Sequence, residues 1–171
     1  RKASSGTSAR CSSRARRTVQ FDVPAAGAKG AVPSKWRPLP IGKAILRRAG
    51  DDVMIVSVGV GVHRAQAAAQ TLEAEGISAG VLDLRTVSPL DKPAICEAVA
   101  HTGRLLVVDE DYESFGLSGE LAAVVLEAGI SCSYARVCTQ TTLPYARQLE
   151  DQSLPNQQRI CASVRQLLQE Q

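Results

Sequence analysis

From residue 39 onward the chain alternates short, nearly unbroken apolar runs with stretches whose apolar residues recur at helical spacing. The runs "VMIVSVG" (53–59), "AGVLDLR" (79–85), "RLLVVDE" (104–110) and "SYARVC" (133–138) predict strands. Three of them are apolar almost throughout, as strands of a parallel sheet covered on both faces are. Between them, Val62, Ala65, Ala69 and Leu72 form one helical stripe, and Ile95 with Val99 a second. Leu117, Leu121 and Val124 form a third, and Ile160, Val164 and Leu167 a fourth. Each stripe gives its helix one face to bury against a sheet.

The breaks agree with this periodicity. Gly76, Gly103 and Gly129 fall just past helical patterns, where a left-handed C-terminal cap favours a residue without a β-carbon. Asp91 two residues before Pro93 suits an N-cap followed by a first-turn proline. "IGKAILRRAG" (41–50) predicts one more strand, turning through Gly50, Asp51 and Asp52 into "VMIVSV". A connection this short predicts antiparallel pairing of those two strands. The expected fold is α/β, a three-layer α/β/α sandwich. Its sheet is mostly parallel and five-stranded, with one antiparallel edge strand.

Charge divides the chain. Residues 1–38 carry nine Lys/Arg against the single acid Asp22, whereas residues 39–171 carry eleven against sixteen, giving +8 and −5. Residues 1–37 read as a basic arm or linker, because an Arg/Ser/Ala-rich stretch without apolar periodicity cannot bury enough surface to offset its ordering entropy. Residues 38–171 form the domain. The arm's composition also resembles a mitochondrial or plastid transit peptide. Without interleaved aromatics it supports only non-specific attraction to nucleic acid. No run approaches the roughly 20 apolar residues of a membrane span, so a soluble protein is expected. Cys11, Cys96, Cys132, Cys138 and Cys161 are odd in number and form no C-x-x-C. They signal neither zinc nor a disulfide framework and fit buried free thiols in a reducing compartment, cytoplasmic or, in a eukaryote, mitochondrial or plastid. Cys132 and Cys138, an even number apart, are expected to share a strand face.

Several segments invite a chemical reading. "SVGVGVHRA" sets Gly59 and Gly61 between a strand and a helix, and Asp83 ends the next strand, the layout of a dinucleotide site. The third small residue is absent, since Arg64 stands there. A turn that binds a nucleotide or small anion at Gly59 and Gly61 remains an alternative. His63 and His101 each sit at one end of a predicted helix with no visible nucleophile or acid partner, which favours structural or surface roles. "GLSGE" (116–120) lacks nucleophile-elbow spacing, and Ser118 reads as an N-cap. "VVDEDYESFG" (107–116) places Asp109, Glu110, Asp111 and Glu113 at a strand's carboxyl end, where open α/β sheets bind ligands. They lack calcium-loop spacing, and the leading reading is a solvated rim beside a crevice, in an exposed turn.

Read together, three blocks resemble a known family: "PLPIGKAILRRAGDDVMIVSVGVGVHRAQAAAQTLEAEGISAGVLDLRTVSPLD", "TGRLLVVDEDYESFGLSGELAA" and "LPYARQLEDQSLPN". The family is the C-terminal transketolase-like domain of the beta subunit of thiamine-diphosphate-dependent 2-oxo acid dehydrogenases, which include the pyruvate and branched-chain enzymes. "DLRTVSPLD" (83–91) and "GRLLVVDE" (103–110) are its characteristic joints. The resemblance implies that thiamine diphosphate and magnesium belong to the parent enzyme. There the alpha subunit holds diphosphate and metal, and the beta subunit's N-terminal domain holds the aminopyrimidine. No cofactor is expected on this chain alone, nor catalysis by it in isolation. It further implies partners: the alpha subunit, the N-terminal beta-subunit domain, a second copy through this domain, and the small, typically basic binding domain of the acyltransferase core. The −5 balance suits such a basic partner, with Asp109, Glu110, Asp111 and Glu113 as candidate interface residues. One loop departs from the family pattern: where many relatives carry an aspartate in a "TPDTPIPY"-like loop, this chain reads "CTQTTLPYA" (138–146).

Overall fold

The computed structural model describes residues 38–169, with Arg147, Gln148 and Asp151 described by backbone alone. The basic arm of residues 1–37 and Cys11 lie outside the described residues. Strands β2 (Val53–Ser57) and β3 (Ala79–Asp83) are buried at every position. Such strands are stable only when other strands and layers cover them. The remaining strands are β1 (Ile45–Arg48), β4 (Arg104–Tyr112) and β5 (Ser133–Thr139), and the sheet order is β1-β3-β2-β4-β5. Every pairing is parallel except β1 with β3.

Helices α1 (Val60–Glu73) and α5 (Gln157–Gln169) cover one face. They bury Val62, Ala65, Leu72, Ile160 and Val164 against Val53, Ile55, Val81 and Leu106. Helices α2 (Lys92–Thr102) and α3 (Leu117–Glu127) cover the other, with Ile95, Val99, Leu121 and Val124 against Met54, Val56, Leu82, Leu105 and Val107. Alternate residues of each strand serve alternate layers, and each fully buried aliphatic contributes roughly 1.5–3 kcal/mol. The expected three-layer sandwich is the observed one. Gly103 caps α2 at φ 64°, its N–H donating to the Val99 carbonyl. A short helix, α4 (Arg147–Ser153), had no periodic apolar signal in the sequence.

Three expectations are corrected. Strand β1 is the antiparallel edge, but its partner is β3 rather than β2, because β3 and β4 already occupy both edges of β2. The chain crosses the start of β3 at Gly50, where an added β-carbon would lie 2.0 Å from the Gly80 nitrogen. Asp91 sits at the N-cap position of α2 yet makes no cap hydrogen bond. Its carboxylate accepts from the Ala44 amide at 3.1 Å and lies 3.5 Å from Lys43. The Gly42 amide likewise donates to Thr86 Oγ1 at 3.1 Å. The polar residues of "DLRTVSPLD" thus stitch β1 to the sheet. Ser118 is not a cap either: Gly116 holds that position, and Ser118 is buried in the first turn of α3.

Candidate functional site

Chain order places β3 on one side of β2 and β4 on the other, so the helices that follow β2 and β3 lie on opposite faces. The carboxyl ends of β2 and β4 therefore flank the crevice where open α/β sheets take their ligands. Gly59 and Gly61 lie on one side of it and Asp109 to Asp111 on the other.

The glycine turn is built for packing. Gly59 has φ 62°, which permits the sharp entry into α1. A β-carbon on Gly61 would lie 2.3 Å from Ser57 Oγ and 3.3 Å from the Val108 carbonyl oxygen. Ser57 Oγ itself donates to that carbonyl at 2.7 Å. Arg64, one turn into α1, donates to Glu110 Oε1 and to the Pro155 carbonyl, each at 2.7 Å. Asp83 is buried, and Arg47 donates to its Oδ2 through Nε at 2.9 Å and Nη2 at 2.6 Å. Its Oδ1 accepts from the Arg85 amide at 3.0 Å. The carboxylate that a ribose would need is committed to the β1 edge.

The four acids do not form one exposed turn, as the sequence suggested. Asp109 to Asp111 continue β4, and pairing with β5 resumes at Tyr112 and Thr139 after an irregularity. Asp109 is buried, Glu110 and Asp111 are exposed, and Glu113 is half-buried. Burial pushes the Asp109 carboxyl above the ordinary aspartate range; amides of Asp111 and Glu110 counter this, while their carboxylates add to it. Glu110 pairs with Arg64, and Glu113 pairs with Arg136 at 3.1 Å and accepts from Gln140 at 3.1 Å. Asp111 accepts from the Tyr112 amide at 2.7 Å, with no ion pair among the described residues.

These carboxylates point to different partners rather than to one centre. Among the described residues no group of three or more His, Cys, Asp or Glu could hold a metal ion. The set does not fit a magnesium–diphosphate site, since two acids are spent on arginines and one is buried. Beneath them Cys138 lies beside Ser118 and Asp109, and burial pushes its thiol up. Burial does the same to Cys132 and Cys161, so these thiols stay protonated and unreactive at neutral pH. Cys132 lies just before β5 rather than on it and packs, half-buried, against the cluster under α2 and α3. His63 and His101 are exposed; His101 Nε2 lies 2.8 Å from Asp51 Oδ1, at the opposite end of α2 from the crevice.

Sequence reasoning missed Glu120 and Phe115. With Asp111, Lys92 and Leu90 they line an open concavity of about 470 Å³ between the starts of α2 and α3. Phe115 gave a signal in retrospect: it is one of only two phenylalanines in the chain and stands in a polar, glycine-bounded turn.

Residues 42–160 match the family profile described as "Transketolase, C-terminal domain". The chain belongs to this family. It is 41% identical over 144 residues to the 2-oxoisovalerate dehydrogenase subunit beta of Bacillus subtilis, covering 81% of this chain and 44% of that protein. Identity to the Pyruvate dehydrogenase E1 component subunit beta of Rhizobium meliloti is 39% over 131 residues, covering 74% and 28%. The chain thus spans less than half the length of these curated relatives. The fold superposes on a solved "Split gene transketolase, inactive beta4 tetramer" with a TM-score of 0.72 and 26% identity, covering 81% of this chain and 47% of that one. As a transketolase C-terminal domain, the molecule is related to the beta subunits of multi-subunit dehydrogenases. Among its described residues no helix is long and apolar enough to cross a membrane.

Proposed function

We propose that this domain serves assembly and partner docking in a thiamine-diphosphate-dependent 2-oxo acid dehydrogenase, as part of its beta subunit, and contributes no complete active site. The observation that carries the reading is the 41% identity over 144 residues to a dehydrogenase beta subunit. The geometry supports it. Catalytic carboxylates need a defined reacting partner, whereas Glu110 and Glu113 are neutralised by arginines and Asp111 faces solvent. Thiamine diphosphate and magnesium are accordingly held by the parent enzyme, not by this chain. Its partners are the alpha subunit, the N-terminal part of the beta subunit, a second copy of this domain and the acyltransferase's basic binding domain. The negative balance of residues 39–171 steers that last partner.

The competing reading, a nucleotide or anion at Gly59 and Gly61, is opposed by Arg64, which Glu110 and Pro155 hold at the third position of the turn, and by Asp83, which is paired with Arg47. The test is reconstitution. The chain should co-purify with an alpha subunit and the N-terminal part of a beta subunit, and 2-oxo acid decarboxylation should require all three. Turnover by the chain alone, or failure to associate, would refute the proposal.

A further inference from the structure

The concavity between the starts of α2 and α3 leaves apolar surface and negative charge uncovered. Its volume is about 470 Å³, and its apolar lining is Val87, Leu90, Leu117 and Phe115. Phe115 is fully exposed and has φ 63°, a left-handed conformation strained for a residue with a β-carbon. Among the described residues no burial offsets that strain. The charged lining is Lys92, Asp111 and Glu120. Lys92 lies 3.7 Å from Glu127, whereas Asp111 and Glu120 are in no ion pair among the described residues. Such a surface is complementary to an apolar side chain with cations beside it.

The chain itself passes close by. The Gly42 amide donates to Thr86 Oγ1 at 3.1 Å, and a β-carbon added to Gly42 would lie 2.8 Å from Pro89. Pro89 stands between Ser88 and Leu90, which both line the concavity. Residues 38–41 lead up to this contact along the surface, with Leu39 73% exposed. Lys35, Trp36 and Arg37 immediately precede them. Trp36 is six residues from Gly42, an extended reach of about 20 Å. It is also the only aromatic residue of the chain with a cation on each side; Phe21, by contrast, stands between Gln20 and Asp22.

We infer that this concavity is the seat of the chain's own Lys35-Trp36-Arg37, with the indole over Phe115 and the apolar lining and the two cations facing Asp111 and Glu120. The indole and the ring of Phe115 cover each other, which removes apolar area of both from water. A segment without a core of its own takes its order from the surface it binds. The loop from Gly42 back to Trp36 is short, so closing it costs little entropy. The basic arm thereby leaves the domain at the crevice end, a placement that goes beyond the assembly reading and does not depend on it.

Trp36 is the only tryptophan, so the intrinsic emission of the full chain reports this contact alone. In the folded chain the emission should be blue-shifted, and acrylamide should quench it several-fold less than in the urea-unfolded chain. Phe115→Gly should raise quenching toward the unfolded level without lowering the melting temperature, because glycine accepts the positive φ. Asp111→Asn/Glu120→Gln should raise quenching at low salt, and the wild type should approach that variant as salt is added. Lys35→Gln/Arg37→Gln changes no residue of the folded core and should have the same effect at an unchanged melting temperature. Quenching of the wild type equal to that of the unfolded chain would overturn the inference. So would protection that survives in Phe115→Gly, or that is untouched in Lys35→Gln/Arg37→Gln should Phe115→Gly prove unstable. Protection that falls on dilution would assign the seat to the same segment of a second copy and overturn the intramolecular contact. These measurements need no partner, so the docking reading stands or falls separately.

Discussion

Arg64 Nη1 lies 2.7 Å from Glu110 Oε1, tying the helix after the glycine turn to the carboxyl end of β4. The residue that breaks the dinucleotide pattern is therefore the one that neutralises a crevice acid. Both side chains keep substantial exposure, 29% and 41%, so the pair contributes at most about 1 kcal/mol. Its effect is to decide which acids stay free.

Arg64→Ala restores a small residue at the third position of the glycine turn but should not create a nucleotide site, because Asp83 remains paired with Arg47. Thermal-shift titration with NAD and with inorganic phosphate should give no saturable stabilisation in either the wild type or the variant. A saturable shift would return the anion-binding reading.

Gly61→Ala should destabilise the fold by about 1–3 kcal/mol, since the methyl meets Ser57 Oγ and the Val108 carbonyl that Ser57 bonds. Adding Ser57→Ala removes the closest clash, so urea denaturation of the double variant should show a loss smaller than the sum of the single losses. Strict additivity would show that the helix adjusts in some other way.

Asp109 gives the fold a pH dependence of known sign. Burial raises its folded pKa above the unfolded value, so between those two values the folded state binds more protons. Its contribution is favourable below the unfolded aspartate pKa and is lost as pH rises through the folded one. Asp109→Asn should remove this decline, and the variant should gain on the wild type as pH is raised from acid to neutral in denaturation series. An unchanged pH profile would mean that Asp109 is solvated.

Asp91→Ala leaves the Ala44 amide without its acceptor and removes the link to Lys43. The expected cost is about 1–3 kcal/mol. Hydrogen exchange should show faster exchange at Ala44 and along β1, with Val53–Ser57 protected as before. Global loss of protection would mean that β1 and the central strands open as one unit.

The sequence by itself determined the architecture. Unbroken apolar runs at 53–59, 79–85 and 104–110 become strands buried in the centre, and the four helical stripes face them, because periodicity and glycine caps act within a few residues. It also placed the acids at a strand's carboxyl end, whereas the crevice itself follows from the strand order that the folded sheet sets. What only tertiary structure decided involves residues far apart in the chain. The partner of β1 was set by β4 taking the free edge of β2, and the role of Asp91 by Ala44, 47 residues away. The four acids look alike in sequence, yet one is buried, two meet arginines from α1 and β5, and one is in no ion pair among the described residues. A run of carboxylates on a strand's end carries no local record of which cations the other elements will bring. Nor does a phenylalanine in a turn record that closing β4 onto β5 will hold it left-handed and bare.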